Sequence, residues 1–116
     1  LFRDPGVILR NDGHTLTALD EGAVAGVTAL LRRGPDHFEL GRMAVAAAYR
    51  ERGVGYALGL EALTKAKQRG ATHVSLVSNT KLTAAIALYR KLGFLTVSEG
   101  QHPNYARGNI TMRREL

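Results

Sequence analysis

The sequence predicts a mixed α/β domain with the element order β-β-β-α-β-α-β-β. Two stretches repeat apolar residues at the 3.6-residue period of a helix, and shorter runs of apolar and β-branched residues surround them. Short turns join the first three runs, which is typical of an antiparallel meander. A length of 116 residues suits one domain, so we expect residues 1–116 to form a single one.

The first three strands are predicted over ranges that end in turns rich in glycine: Thr15–Leu19, Ala23–Arg33 and His37–Val45. Before them, two turn signals flank an apolar patch, Val7–Leu9, to which no strand is assigned. The period-two rule places Glu39 on the same side of the third strand as Met43 and Val45.

The first predicted helix begins near Gly55 and ends at Gly70, where a left-handed residue is favoured. Leu58 lies off its apolar pattern. The residues that follow the pattern are Tyr56, Gly59, Leu60, Ala62, Leu63 and Ala66.

A strand over His73–Ser78 leads to the second helix, which ends at Gly93. One face of that helix is apolar and consists of Leu82, Ala85, Ile86, Tyr89 and Leu92. Strands over Phe94–Ser98 and Asn109–Leu116 complete the domain.

Composition favours a soluble globular protein and excludes several kinds of site. No apolar run approaches the ~20 residues that a membrane-spanning helix needs, and the N-terminus lacks the pattern of a secretory leader. Cysteine is absent, which excludes disulfides, thiolate nucleophiles and cysteine-based zinc sites. We therefore expect a cytoplasmic protein without a membrane partner.

The net charge of +6 favours anionic partners, either nucleic acid or a small polyphosphate ligand. The basic residues are scattered in pairs and are not interleaved with aromatic residues. Nucleic acid is therefore the weaker interpretation, and we predict no nucleic-acid partner.

The stretch from Val45 to Gly55 joins a strand to a helix and contains two arginines and two glycines. Glycines let backbone N–H groups approach a ligand, and a helix N-terminus adds aligned donors and partial positive charge. This combination predicts a phosphate-binding turn to which Arg50 and Arg52 contribute. Taken alone, an ordinary loop with solvated arginines explains the stretch equally well.

The sequence lacks the motifs of several other nucleotide-binding, metal-binding and catalytic sites. It has no Walker phosphate loop, and Gly53 and Gly55 lack the third glycine of a dinucleotide fingerprint. Its four histidines are not spaced as metal ligands, and no nucleophile elbow is present. These absences favour direct transfer on a bound, phosphate-bearing cosubstrate without a metal.

Three segments together resemble the GNAT N-acetyltransferase superfamily. Arg50–Gly55 resembles its Gln/Arg-x-x-Gly-x-Gly/Ala signature, and Leu40–Val45 resembles the strand that leads into it. Ala84–Phe94 resembles the second motif, Ala-x-x-Leu-Tyr-x-x-x-Gly-Phe. The resemblance extends from about Thr15 to the C-terminus.

The resemblance implies acetyl-coenzyme A (acetyl-CoA) as the donor and an amine of a small molecule or peptide as the acceptor. The backbone of Met43, Ala44 and Val45 would pair with the pantetheine arm. The turn that would hold the pyrophosphate consists of Arg50, Glu51, Arg52, Gly53, Val54, Gly55 and Tyr56.

Two side chains would carry the chemistry. Tyr89 matches the family's general acid, which protonates the leaving thiolate; the alternative is a tyrosine that only packs in the core. Glu39 is the candidate base, directly or through water, although a surface ion pair explains it equally well. By the same resemblance, the Met43 N–H would polarise the acetyl carbonyl.

The sequence departs from the family pattern in three places. Ala47 replaces a common proline, and Leu82 replaces an asparagine before the tyrosine. Asn79 could supply the missing amide contact to the cofactor or could cap the helix. The family's first strand and two helices are absent or reduced to Leu1–Leu9.

The segment Gln101–Arg107 resembles a Pro-x-Tyr-Ala-Arg loop of some small acetyltransferases, which would overhang the acceptor. Tyr105 and Arg107 are therefore candidate acceptor-binding residues. Arg107 could recognise a carboxylate through its planar fork, or it could tie the loop to the sheet.

A second class of function stays open: a coenzyme A-binding module that senses or regulates without catalysis. It would use the same turn at Arg50–Gly55, so only turnover separates the two functions. The sequence also leaves open the identity of the acceptor and the formation of a homodimer.

Overall fold

The computed structural model describes residues 7–100 and 108–116. Its strands are β1 (Val7–Asp12), β2 (Thr15–Asp20), β3 (Ala23–Arg32), β4 (His37–Leu40), β5 (Ala44–Val45), β6 (His73–Ser78), β7 (Leu95–Glu99) and β8 (Ile110–Glu115). Its helices are α1 (Val54–Gln68) and α2 (Thr83–Lys91), and a short 3₁₀ helix covers Ala47–Tyr49. The predicted mixed α/β class is confirmed.

One twisted sheet contains the main strands in the order β1-β2-β3-β4-β6-β8-β7, and β5 pairs with β3. Among the described pairs, β4 and β6 are parallel and the others are antiparallel. Helix α1 connects the two parallel strands, as a parallel pair requires a long crossover.

Strand β1 is an addition to the predicted order. The apolar patch at Val7–Leu9 extends to Asp12 and pairs with β2 along its whole length. The turn signal at Asn11–Gly13 is the hairpin turn between these two strands, and Gly13 takes the left-handed conformation that the turn requires (φ 63°). The missed strand therefore lay directly beside a correctly recognised turn.

The predicted third strand is divided into β4 and β5. On β3, Leu30 pairs with Leu40 and Val27 pairs with Ala44. The chain from Leu40 to Ala44 is therefore one residue longer than the β3 segment that it faces. The extra residue is a β-bulge within Gly41–Met43. A bulge reverses which side chains face which side of a sheet, so every face assignment beyond it changes.

The prediction that Glu39 shares a face with Met43 and Val45 is wrong for this reason. Glu39 alternates with Phe38 and Leu40, which are both buried in the core. Beyond the bulge, the Met43 and Val45 side chains lie within van der Waals reach of a Cβ added at Gly55, in helix α1. Glu39 consequently faces away from the helices.

Both helices lie on one side of the sheet and pack directly on each other. A Cβ added at Gly59 would lie 2.4 Å from Leu92 Cδ1, so the glycine permits this contact. Leu58, predicted to lie off the apolar arc, is fully buried and would lie 3.1 Å from a Cβ at Gly26. Its burial depends on space that a glycine in the sheet provides.

The two faces of the sheet differ in chemistry. The face toward the helices, here called the helix face, is the core and includes Leu16, Leu30, Phe38, Leu40, Val74, Leu76, Ile110 and Met112. The other face, here called the polar face, carries half-buried His37, Glu39, His73 and Ser75. In the part of the chain described, no helix is long and apolar enough to cross a membrane.

Candidate active site

A cleft opens where the parallel strands β4 and β6 separate. They pair only from His37 to Glu39 and from His73 to Ser75. Beyond this point β5 remains paired with β3, and β6 remains paired with β8 on its other edge. The resulting cleft has a volume of about 620 Å³.

The walls of the cleft come from both faces of the sheet. Ala85 and Tyr89 approach from α2 on the helix face, while Leu31, Glu39 and Val77 belong to the polar face. The remaining lining residues are Leu40, Gly41, Arg42, Met43, Ser78, Asn79, Leu82 and Gly108. The cleft therefore connects one face of the sheet with the other.

Tyr89 is the buried side chain of helix α2. Only 8% of its surface is exposed, and its ring packs edge-on against Phe94 with centroids 6.1 Å apart. Burial raises the pKa of Tyr89 above 10.0, because the phenolate would lose its hydration. The residue packs in the core and also lines the cleft, and its role as an acid stays a prediction.

Glu39 lies on the polar side of the cleft. Its carboxylate accepts a hydrogen bond of 3.0 Å from Arg33 Nε, and 16% of its side chain is exposed. The ion pair considered as the alternative role thus exists, yet the same carboxylate lines the cleft. Arg33 holds the carboxylate in place without removing it from the cavity.

The short strand β5 has one edge without a described strand partner and directly follows the cleft residue Met43. Ala44 and Val45 pair with β3 on one edge, and no described strand pairs with their other edge. An extended chain placed there could add main-chain hydrogen bonds, as an edge strand does. Met43 lines the cleft beside them.

The turn before α1 has the backbone shape of an anion-binding site. Glu51 and Gly53 both have positive φ, of 62° and 83°. Gly53 caps α1 without a side-chain hydrogen bond, so the first N–H groups of the helix, from Val54 to Tyr56, face outward with the dipole's positive end. This geometry suits a phosphate.

The turn's arginines are partly oriented by the protein. Arg50 Nε makes a long hydrogen bond of 3.4 Å to the Val45 carbonyl, and the Arg52 guanidinium lies 4.8 Å from the centre of the Tyr49 ring. Tyr49 in turn donates a hydrogen bond to Asp20. Both cations thus stay beside the turn while remaining exposed.

Gly55 has a packing role in addition to its predicted place in the phosphate-binding turn. A Cβ at this position would lie 3.1 Å from Leu88 Cδ2 and 3.4 Å from Met43 Sδ. The glycine is therefore needed for packing of α1 against α2 and the strand, whereas Gly53 supplies the left-handed turn.

Asn79 organises the turn that leads into α2. Its Oδ1 accepts the Lys81 N–H at 2.9 Å, and its carbonyl accepts the Leu82 N–H at 2.9 Å. The side-chain bond closes a turn before the helix and does not cap it, because the N-cap of α2 is Leu82. Asn79 also lines the cleft, and its contact to the cofactor stays a prediction. Asn109, which the sequence reading passed over, bonds to Thr80 through both ends of its amide.

Several cleft residues were not predicted, namely Leu31, Arg42, Val77, Ser78 and Gly108. Arg42 lies in the Leu40–Val45 segment, but the others belong to no motif, and their position in the cleft depends on the separation of β4 from β6. Tyr105 and Arg107, predicted at the acceptor end, lie outside the described residues. Within 7–100 and 108–116, no group of three or more acidic or histidine side chains is arranged to hold a metal ion.

A mixed sheet whose parallel strands separate beside two packed helices is the fold of solved acetyltransferases. The model of the acetyltransferase (GNAT) family matches residues 2–94 of this chain. The chain belongs to that family.

A curated bacterial protein matches most of this chain. It is 34% identical over 85 residues to the uncharacterized N-acetyltransferase YvbK of Bacillus subtilis, a match of 73% of this chain and 54% of that protein. The chain thus spans about half the length of this curated relative.

Solved structures agree with the fold. A GCN5-related N-acetyltransferase from Kribbella flavida is 33% identical, with a TM-score of 0.72 over 88% of this chain and 67% of its own. A Bacillus subtilis acetyltransferase in complex with CoA is 25% identical, with a TM-score of 0.77 over 88% and 76%.

Proposed function

We propose that this chain transfers the acetyl group of acetyl-CoA to an amine of a small molecule or peptide by direct attack. The observation that carries the proposal is the cleft through the sheet, with buried Tyr89 on the helix face and Glu39 on the polar face. One group can protonate a leaving thiolate, and the other can accept a proton from an ammonium.

The residues around the helix face suit the donor. The turn at Arg50–Tyr56 would bind the pyrophosphate with N–H groups and two arginines, and the β5 edge would pair with the pantetheine arm. Asn79 is a further contact on the same wall of the cleft. Acetyl-CoA, when bound, supplies an acyl group activated as a thioester.

Three groups would act on the reaction. Glu39, held by Arg33, takes the proton that makes the acceptor nitrogen a nucleophile. The Met43 N–H donates to the carbonyl oxygen, where negative charge develops. Tyr89 gives its proton to the departing sulfur, and its raised pKa keeps the phenol protonated at neutral and moderately alkaline pH.

The acceptor would approach from the polar face, because that face holds the proposed base. Tyr105 and Arg107 remain our predicted acceptor contacts. A carboxylate on the acceptor is the feature that Arg107 would recognise.

The first test is binding followed by turnover. Acetyl-CoA at a hundredfold excess over its Kd should stabilise the fold by about 2.7 kcal/mol, visible as a melting temperature raised by several degrees. Release of the CoA thiol should then be followed with amino acids, polyamines, aminoglycosides and peptide N-termini. Absence of a thermal shift would remove the donor assignment.

The second test separates catalysis from binding alone. Glu39→Gln should lower kcat and alter the pH–rate profile, while Asp12→Asn should do neither. Asp12 is a matched control, since it also pairs with an arginine but lies on β1 and does not line the cleft. Binding of acetyl-CoA without acetylation of any amine would instead identify a silent coenzyme A-binding module.

A further inference from the structure

Two histidines form an unusual pair on the polar face. His37 and His73 are directly opposite on the parallel strands β4 and β6, and their rings stack with centroids 4.5 Å apart and planes 18° apart. Two imidazolium ions at this separation would repel each other, so the pair favours at most one proton.

Ser75 connects this pair to the cleft. Its Oγ lies 2.6 Å from His37 Nε2, and its strand partner is Glu39, which lines the cavity. Neighbouring strands are about 4.8 Å apart, a gap that one rotamer change or one bridging water spans. Glu39, Ser75 and His37 thus form a row of proton-carrying groups on the polar face, in which Ser75 and His37 are in contact and Glu39 would be joined to Ser75 by such a rotamer change or water.

The outer end of the row reaches solvent. His73 Nδ1 is 3.0 Å from the Thr72 hydroxyl, and Thr72 is exposed. His37 is only half-buried, so its ring can exchange protons with water. The row therefore has an inner end at the cleft and an outer end at the protein surface.

The surroundings keep His37 ready to accept a proton. Burial, and then the neighbouring His73, lower the pKa of His37 below 6.5, so the ring is neutral at pH 7. Glu39 and Asp36 oppose this shift, and Arg113 adds to it. The charged or titratable groups around it come from four strands or their ends and are Arg33, Asp36, Glu39, His73, Arg113 and Glu115.

We propose that His37, acting through the Ser75 hydroxyl, removes from the active site the proton that the acceptor ammonium gives to Glu39. This inference rests on the proposed acetyltransferase function and adds a proton path to it. His37 is a positioning and relay residue, because it does not itself line the cleft.

The transfer balances in protons and charge. The ammonium N–H bond breaks and its proton binds a Glu39 oxygen. Ser75 Oγ takes that proton as its own hydroxyl proton passes to His37 Nε2, which leaves Glu39 ionised, Ser75 neutral and His37 cationic. His37 then gives its Nδ1 proton to water. A further exchange with water, which removes the Nε2 proton and returns one to Nδ1, restores the starting tautomer for the next turnover.

The test compares pH profiles of kcat/KM, measured by release of the CoA thiol. His37→Gln and Ser75→Ala should each lower kcat at pH 7 by about a hundredfold, the lower end of what a proton-transfer group contributes. The Kd for acetyl-CoA should stay unchanged. His14→Gln is the matched control, since His14 is exposed in the β1–β2 turn and should leave the profile unaltered.

Two further variants separate a relay from a structural role. Imidazole added to His37→Gly should restore turnover in proportion to its free-base concentration, which a packing defect would not allow. His73→Asn keeps His37 but removes the neighbour that lowers its pKa, so the acidic limb should move to higher pH.

The outcomes distinguish the two proposals. A His37→Gln profile that superimposes on the wild type, an absence of imidazole rescue, or an unmoved limb in His73→Asn would each overturn the relay and leave the acetyltransferase intact. A wild-type protein that binds acetyl-CoA but acetylates no amine would overturn both.

Discussion

The helix face and the polar face of the sheet both border the cleft, but one is packed from apolar side chains and the other carries polar and titratable ones. On the helix face, apolar side chains are buried and glycines let two helices touch, as at Gly59 and Leu92. On the polar face, half-buried histidines, a serine and an ion-paired carboxylate lie along β4 and β6.

In the proposed function this difference would separate two tasks of one site. The helix face holds the glycine turn and Tyr89 by close packing, so its elements tolerate little change in shape. The polar face carries titratable groups, so its proposed chemistry would depend on pH more than on packing. Donor binding and proton removal would then fall on different faces of one sheet.

The largest effect should come from removing the helix-face acid. Tyr89→Phe keeps the ring packed against Phe94 but removes the hydroxyl, and we expect kcat to fall by about 10²- to 10⁴-fold. The Kd for acetyl-CoA should change little, because the cavity shape is retained. Single-turnover kinetics together with calorimetric titration would separate these two quantities.

Tyr49→Phe provides the control for that experiment. It also removes one tyrosine hydroxyl, here the donor to Asp20, while keeping the ring beneath Arg52. It should cost about 1 kcal/mol of stability and little turnover. Equal losses of kcat in both variants would show that Tyr89 acts through the fold and not through its proton.

A smaller effect is expected in the phosphate turn. Gly53→Ala forces a side chain into a left-handed conformation (φ 83°), which costs about 1–2 kcal/mol. Because this distorts the turn, acetyl-CoA should bind about tenfold more weakly, equivalent to about 1.4 kcal/mol.

Gly70→Ala is the matched variant, since Gly70 has a φ of 93° and nothing within 4 Å of an added Cβ. It should lose similar stability, measured by urea unfolding, while keeping its affinity for acetyl-CoA. A Gly53→Ala protein with unchanged affinity would contradict the role of the turn.

The smallest effect concerns the polar face and pH. The pKa of His37 is lower in the folded state than its usual 6.5, so the unfolded chain binds this proton first as the pH falls. The stability that neutral His37 contributes is therefore complete above pH 6.5 and is lost as the pH falls through its folded pKa. Urea unfolding between pH 8 and pH 5 should show this decline, and His37→Gln should flatten it.

A wild-type curve with no decline in that range would mean that the histidine pair is solvated like an ordinary surface. The two faces would then differ in how their side chains pack and not in how their contribution to stability depends on pH. His14→Gln again serves as the control, because His14 is exposed.

Local patterns predicted where the helices, the glycine turn and the tyrosine on α2 lie, because each position depends on residues close in the chain. Nonlocal features were missed. Leu58 is buried because Gly26, on a distant strand, makes room for it, and the face of Glu39 depends on a bulge that no periodicity reveals. Gly55 was correctly located, but its packing role depends on Leu88 of the other helix.

The sequence alone determined the mixed α/β class, the glycine turn before α1 and the tyrosine on α2, since backbone conformation and helix period are local properties. Only the tertiary structure decided that β4 and β6 separate into a cleft, that Glu39 faces away from Met43, and that His37, Ser75 and His73 meet. Strand pairing and a one-residue bulge set these relations, and both arise from contacts between segments far apart in the chain.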